Sequence, residues 1–208
     1  MEMNKIGIMG GTFNPIHYGH LIMAEQAYEQ VGLEKVLFMP SNNPPHKENR
    51  DIVSNEHRSS MVAIAIEGNP HFKLSNLELD RKGTTYTVDT LRILNNEHPE
   101  TEFCFIIGAD SFFNILKWRE PESIFELCTL LVFERDMVDR KKMEDYASHL
   151  IDIYPNIKIV FLSMPTIEIS SANIRERVVD NLTIRYFVPD KVLTYISEHR
   201  LYTNVGKE

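Results

Sequence analysis

Several residue types and patterns that mark common protein classes are scarce in this sequence. Its 208 residues include two cysteines, Cys104 and Cys128. Both lie in or beside apolar runs, so we expect buried free thiols in a reducing compartment rather than a disulfide framework. No apolar run approaches the roughly 18 residues that a membrane-spanning helix requires, and no secretory signal pattern precedes the first apolar run. These absences predict a soluble, cytoplasmic protein with no membrane segment.

Positive charge is also scarce. The chain has 22 Lys and Arg against 30 Asp and Glu, which gives a formal net charge of −8. A negative surface repels nucleic-acid backbones, so general RNA or DNA binding, including that of an RNA-binding fragment related to synthetases, is not expected. A small anionic ligand remains compatible, because it needs only a local cluster of donors. The length fits a single domain over residues 1–208.

Short apolar runs alternate along the chain with amphipathic stretches. Strands are predicted at 5–9, 35–39, 72–79, 103–107, 130–133 and 157–162. Helices are predicted from about His20 to Gly32 and at 55–67, 87–97, 111–116, 122–127, 140–152, 172–179 and 190–199. This alternation predicts an α/β fold: a Rossmann-like parallel sheet with helices on both faces and a small helical C-terminal end. In such sheets, ligands bind beyond the carboxyl ends of the strands.

The turn after the first predicted strand contains the most informative pattern. Gly10 and Gly11 let the backbone turn sharply and approach a ligand, and the helix that follows presents unpaired N–H groups suited to phosphate. His17 and His20 are three residues apart, so both can face one side of the helix start. The turn lacks the G-x-G-x-x-G dinucleotide fingerprint and the Gly-Lys-Ser/Thr ending of a P-loop. A zinc site would need a third ligand motif, and none accompanies the two histidines, so no metal site is predicted.

Other candidate residues lie at predicted strand ends and helix starts. Asp110 follows the 103–107 strand, and Ser170 and Ser171 precede a helix that carries Arg175 one turn further on. Hydroxyls and N–H groups at a helix start suit phosphate, and the Arg fork can reach the same group. Simple helix capping explains Asp110 equally well, and for both serines capping is compatible with phosphate binding, because a capping serine can also face a ligand. Arg135 follows another strand, where it could bind a ligand or pair with a neighbouring acidic residue.

Two motifs carry a family resemblance. Residues 10–15 read GGTFNP and are followed by His17-x-Gly19-His20, and residues 169–175 read ISSANIR. Together they resemble the H-x-G-H and I-S-S-x-x-I-R motifs of a nucleotidyltransferase superfamily. Within it, the chain looks most like nicotinate-nucleotide adenylyltransferases, because of PPHK at 44–47, GTTYT at 83–87, and GAD at 108–110 leading to Trp118. Asn14 and Ala172 depart from the Asp and Thr that many relatives carry.

The resemblance implies transfer of AMP from ATP to nicotinate mononucleotide, giving deamido-NAD and pyrophosphate, with Mg²⁺ carried in on ATP. It assigns His20 to the α-phosphate and His17 to the neighbouring phosphates. The implied sites divide into catalytic residues (His17, His20, Arg175), ATP-binding residues (Gly10, Gly11, Thr12, Phe13, Gly19, Gly108, Asp110, Arg135, Ser170, Ser171) and acceptor-binding residues (Lys47, Thr85, Trp118).

Alternatives remain open at this point. Lys47 fits an exposed lysine equally well, and Trp118 fits a half-buried core aromatic. The acceptor could instead be nicotinamide mononucleotide or phosphopantetheine, or the chain could be a non-catalytic nucleotide-binding module. The sequence leaves open whether the protein forms a homo-oligomer.

Overall fold

The computed structural model describes residues 4–42, 52–134 and 137–203. Within them, the strands are β1 (Asn4–Gly11), β2 (Lys35–Pro40), β3 (Phe72–Leu74), β4 (Thr101–Gly108), β5 (Thr129–Phe133) and β6 (Lys158–Leu162). The helices are α1 (Tyr18–Val31), α2 (Asn55–Ile66), α3 (Thr87–Glu97), α4 (Ala109–Phe113), α5 (Pro121–Leu127), α6 (Met137–Ile153), α7 (Ser171–Val179) and α8 (Asp190–Glu198). A 3₁₀ turn, Ile115–Lys117, follows α4.

The strands form one parallel sheet in the order β3-β2-β1-β4-β5-β6. Ile8 in β1 pairs with Leu37 on one side and with Phe105 on the other, so β1 and β4 lie at the centre. Strands β2 and β3 extend the sheet on one side of this pair, and β5 and β6 extend it on the other side. The arrangement confirms the predicted Rossmann-like α/β fold.

Central strands are buried on both faces because their side chains alternate between two cores. In β4, Cys104 and Ile106 point into one core, and Phe105 and Ile107 point into the other. The first core is completed by buried residues of α1, α2, α7 and α8, and the second by residues of α3, α4, α5 and α6. Helices therefore cover both faces, as predicted, and the C-terminal helices pack on the first face.

One predicted strand is much shorter than expected. The apolar pattern predicts a strand at 72–79, but β3 ends at Leu74. Among the described residues its only partner is β2, which ends in Pro40, and proline has no N–H to extend the ladder. After one further bond, from the Ser75 N–H to the Phe38 carbonyl, the chain turns, with the Asp80 N–H donating to the Asn76 carbonyl. This turn carries residues 75–86 back over the carboxyl ends of the strands.

Two features considered in the sequence, the cysteines and long apolar helices, can be compared with the structure. Cys104 and Cys128 are buried free thiols, which confirms the expectation for the cysteines. Burial raises the pKa of the Cys104 thiol to about 12 and that of Cys128 further still, so neither is a reactive thiolate at neutral pH. Across residues 4–42, 52–134 and 137–203, no helix has the length and apolar character to cross a membrane.

Candidate active site

A cavity of about 780 Å³ opens at the carboxyl ends of β1 and β4. This is the point where the strand order reverses direction, the usual ligand position in such sheets. The cavity is lined by the ends of both strands, the start of α1, the segment before α3, and the stretch around the 3₁₀ turn. Its lining residues are Met9, Gly10, Gly11, Thr12, His20, Met23, Ser41, Glu78, Thr85, Tyr86, Thr87, Phe105, Ile106, Ile107, Gly108, Asp110, Ser111, Lys117, Trp118, Arg119 and Ile124.

His20 lies at the cavity wall with its ring held on both sides. It stacks on His17 with ring centroids 3.7 Å apart, and it meets Phe13 edge-on at 5.0 Å. The backbone N–H of His17 donates to His20 Nδ1 at 3.3 Å. Because Nδ1 accepts this bond, the neutral ring carries its proton on Nε2. The geometry thus presents one defined donor nitrogen rather than a freely rotating ring.

His17 lies behind His20 and does not line the cavity. It is 5% exposed, and burial lowers its pKa from 6.5 to about 4, so it is neutral at physiological pH in the unliganded protein. Within the described part of the chain, its Nδ1 has no hydrogen-bond partner. A Cβ on Gly19 would lie only 3.0 Å from this Nδ1. Glycine at position 19 therefore leaves room for the His17 ring.

The second motif packs directly onto the first. Ser170 caps α7, its Oγ accepting from the Asn173 N–H at 3.1 Å. Ser171 Oγ donates to the Pro15 carbonyl at 2.8 Å, and Arg175 donates to the Asn14 carbonyl at 2.9 Å. Residues more than 150 positions apart are thus joined by the fold. Ser171 and Arg175 thus support the first turn, Ser170 caps its own helix, and none of the three lines the cavity.

Thr85 and Trp118 form another part of the cavity wall. Trp118 is half-buried and meets Phe105 edge-to-face, with ring centroids 5.9 Å apart. Thr85 is 5% exposed, and its hydroxyl interacts with the Glu78 carboxyl, which opposes the rise of the Glu78 pKa that burial causes. Asp110 lies in the first turn of α4, also on the cavity wall.

The structure brings most of the predicted residues into one region. Eight of them line the cavity: Gly10, Gly11, Thr12, His20, Thr85, Gly108, Asp110 and Trp118. Phe13 packs edge-on against His20 and Gly19 leaves room for the His17 ring, so both support the cavity wall without lining it. Lys47 and Arg135 lie outside the described residues, so their predicted roles stay predictions.

Sequence reasoning missed several cavity residues. Lys117 and Arg119 flank Trp118, and the Arg119 guanidinium lies 4.7 Å from the centre of the Tyr86 ring. Their position beside the single tryptophan is a signal that could have revealed them. Glu78 also lines the cavity; burial raises its pKa above the ordinary carboxyl value, while a 2.7 Å bond from the Thr90 hydroxyl opposes that rise. No pattern in the residues around Glu78 indicates its position in the cavity, because its hydrogen-bond partner Thr90 lies in α3.

No dedicated metal cage appears among the residues that the structure describes. They contain no group of three or more His, Cys, Asp or Glu side chains placed to hold an ion. The described cavity offers histidine, hydroxyl and backbone groups together with Lys117 and Arg119, beside the two separate carboxylates of Glu78 and Asp110. This donor set suits phosphates better than a tightly bound resident metal.

Comparison with known families agrees with this geometry. The cytidylyltransferase-like family model matches residues 8–177, from β1 into α7. The match includes both motifs and the cavity between them. The fold and site therefore place the chain in the cytidylyltransferase-like family of nucleotidyltransferases.

Individual relatives narrow the assignment. A "probable nicotinate-nucleotide adenylyltransferase" of Lachnoclostridium phytofermentans is 46% identical over 96% of this chain and 100% of the relative. A protein of the same name from Thermoanaerobacter sp. is 39% identical over 95% of this chain and 94% of its own. The Plasmodium falciparum nicotinic acid mononucleotide adenylyltransferase complexed with NaAD has the same fold, with TM-score 0.79 and 22% identity over 96% of this chain and 97% of that one. The chain belongs to the nicotinate-nucleotide adenylyltransferase family.

Proposed function

We propose that this protein transfers AMP from ATP to nicotinate mononucleotide, giving deamido-NAD and pyrophosphate, as a step of NAD biosynthesis. The observation that carries the proposal is a cavity whose wall combines two kinds of group. The glycine turn and His20 suit a triphosphate, and Thr85 and Trp118 suit a pyridine ring and its carboxylate. In our proposal the first group forms the ATP side of the cavity and the second forms the acceptor side. The family names of the full-length relatives support the same reaction.

The chemistry requires alignment rather than an activated nucleophile. A phosphate oxygen of the acceptor attacks the α-phosphorus of ATP, a new P–O bond forms, the bond to the α,β-bridging oxygen breaks, and pyrophosphate leaves with that oxygen. The attacking oxygen is already ionised at neutral pH, so no general base is needed. His20 Nε2–H would donate to the α-phosphate as negative charge shifts onto the leaving group.

The supporting residues would hold the donor in place. Ser171 and Arg175 bond the first turn and Ser170 caps α7 in the unliganded protein, and in our proposal all three also receive the β- and γ-phosphates. His17 would gain a proton only when the negative charge of the ligand offsets its burial. Lys47 is proposed to approach the phosphates on the acceptor side, and Arg135 the ATP side.

The same proposal covers the substrates, the metal ion, the domain content and the cellular location. ATP and nicotinate mononucleotide are the proposed partners, with Mg²⁺ held by phosphate oxygens and water rather than by a protein cage. We also propose one domain over residues 1–208, a cytoplasmic location, and no nucleic-acid partner, given the net charge of −8.

The test is pyrophosphate release from Mg-ATP, with nicotinate mononucleotide and nicotinamide mononucleotide assayed side by side. We expect fast release with the first acceptor and slow release with the second. His20→Ala should lower kcat by roughly 10²–10³-fold while leaving the circular dichroism spectrum unchanged, because one preorganised donor is lost. His98→Ala, on the exposed surface, is the matched control and should retain full turnover.

Other outcomes would redirect the proposal. Release with neither nucleotide, followed by release with phosphopantetheine, would assign the site to another acceptor. ATP binding without turnover on any phosphorylated acceptor would indicate a nucleotide-binding module. A His20→Ala variant with a normal rate would remove His20 from the chemistry.

A further inference from the structure

Arg58 of α2 is the largest fully buried polar side chain of the described residues, and it does not line the cavity. Its guanidinium donates to the Thr12 carbonyl at 2.8 Å, to the Asn42 carbonyl at 3.3 Å, and to Asn55 Oδ1. Burying a guanidinium is costly, so its hydrogen bonds must be well placed for it to be tolerated. Those bonds join the turn after β1 to the chain just after β2.

Asn42 extends this connection toward the proposed acceptor side of the cavity. Its Oδ1 accepts from Asn55 Nδ2 at 2.6 Å, which fixes the side-chain amide. Its Nδ2 then donates to the Arg81 carbonyl at 2.6 Å. Asn42 therefore bonds both the Arg58 side of the network and the segment that precedes α3.

Arg81 carries the connection to the acceptor end. Its side chain donates to Thr90 Oγ1 at 3.0 Å, and that hydroxyl donates to Glu78 at 2.7 Å. Glu78 lines the cavity, as do Thr85 and Tyr86 a few residues further on. A continuous set of hydrogen bonds thus runs behind the cavity wall, from Thr12 at the ATP end to Glu78 at the acceptor end.

We propose that Asn42 and Arg58 are positioning residues that hold the ATP-side turn and the acceptor-side segment at a fixed separation, so that the two bound substrates meet in line. This inference rests on the proposed function. Neither side chain needs to touch a substrate for this role. A displacement of about 1 Å between reacting groups can reduce a rate by about 10²-fold, so a tether between the two binding ends has a direct kinetic effect.

The tests use Asn42→Ala and Arg58→Lys, with Asn95→Ala as the matched control. Asn95 is also an asparagine that ties two elements, donating to the carbonyls of Leu91 at 2.9 Å and Leu127 at 3.1 Å, away from the cavity lining. Arg58→Lys keeps the buried charge but loses the fork that reaches several carbonyls at once. Calorimetry measures the Kd of Mg-ATP alone and of nicotinate mononucleotide alone, and turnover is measured with both saturating.

A positioning role predicts a kcat lower by about 10- to 100-fold in Asn42→Ala, with each separate Kd within about threefold of the wild type. Asn95→Ala should keep the wild-type kcat. A kcat within twofold of the wild type in Asn42→Ala overturns the proposal. So does a rise in one Kd that accounts for the whole loss, or an equal kcat loss in Asn95→Ala. Arg58→Lys provides the same readings if Asn42→Ala does not fold.

Hydrogen exchange without substrates separates this inference from the proposed function. Loss of the Asn42–Arg81 bond should speed amide exchange in residues 75–86 of Asn42→Ala by about tenfold or more, and Asn95→Ala should leave that segment at the wild-type rate. Unchanged exchange in 75–86 overturns the tether whatever the enzyme assay shows. A wild-type chain that binds ATP but releases no pyrophosphate overturns the function, and the exchange result still decides whether the tether exists.

Discussion

His17 and His20 are the same residue type three positions apart, yet the fold gives them different environments. His20 faces the cavity with its Nδ1 bonded, whereas His17 is buried behind it. Spacing alone predicts that both rings lie on one side of the helix start, and the stacked rings confirm this. The different depths of the rings depend on Phe13 and on the absence of a side chain at Gly19.

The burial of His17 predicts a pH effect on stability. Its pKa is about 4 in the folded protein against 6.5 ordinarily. Between these values the unfolded chain binds a proton that the folded chain does not, so stability falls as pH drops from about 6.5 towards 4. Urea unfolding at pH 7 and pH 5 should show His17→Gln losing about 2 kcal/mol less than the wild type over this step. His98→Gln, at an exposed site, should behave as the wild type; equal losses in all three proteins would contradict the shift.

Trp118 can be tested by the substrate that its loss affects. Its ring lies on the cavity wall with Thr85, on the proposed acceptor side, so Trp118→Ala should raise the KM of the acceptor by about tenfold and change that of ATP little. Steady-state kinetics with each substrate varied in turn measures both values. Equal increases would mean that the ring acts through its contact with Phe105 instead.

At the scale of elements, α1 shows how local sequence sets both ends of a helix. It begins after His17 and ends at Gly32, whose φ of 67° lies in the left-handed region. The Gly32 N–H donates to the Tyr28 carbonyl at 3.1 Å, satisfying a terminal carbonyl. The sequence predicted this stop, and the structure confirms it. Strand β3, by contrast, ends where Pro40 of its partner strand β2 has no N–H to donate. No local pattern in 72–79 indicates this end.

Gly32 therefore provides a test of the α1 stop. A Cβ at this position would meet no atom within 4 Å, so the cost of Gly32→Ala is conformational alone. We expect a loss of about 1 kcal/mol in the free energy of unfolding for Gly32→Ala, and a smaller loss for Gly32→Asn, because asparagine tolerates the left-handed region. Urea titration measures both. Equal stability of the two variants would argue against a left-handed residue at this end.

At the scale of the whole molecule, the first turn is where distant parts of the chain meet. Asn14 Oδ1 accepts from the Tyr202 hydroxyl at 3.0 Å and from the Val53 N–H at 3.3 Å, while its carbonyl accepts from Arg175. Burial raises the pKa of Tyr202, so its hydroxyl stays protonated and donating. The resemblance marked Asn14 as a departure from Asp, and the structure shows that its amide oxygen accepts both bonds.

Tyr202→Phe should weaken this long-range contact. Removing the hydroxyl leaves Asn14 with one donor fewer, and we expect the free energy of unfolding to fall by about 1–2 kcal/mol. Tyr146→Phe is the control, because Tyr146 packs through its ring against Phe112 and Phe113. Thermal melts of both variants beside the wild type measure the effect. Equal melting temperatures for Tyr202→Phe and the wild type would show that the contact adds no stability.

Local patterns in the sequence were enough to predict the α/β alternation, the two motifs, the family and eight of the cavity-lining residues, because these depend on local periodicity and on backbone positions at strand ends. Gly10, Thr12, His20 and Gly108 line the cavity for that reason. The roles of Lys47 and Arg135 and the single domain stay predictions.

How these parts combine depends on the tertiary structure. It placed α7 under the first turn through Ser171 and Arg175, buried Arg58 between two loops, and brought Glu78 into the cavity. Each of these depends on strand order and on contacts between residues far apart in the chain. A linear pattern carries no information on such contacts, because the energy that fixes them comes from packing and from pairing buried polar groups across elements.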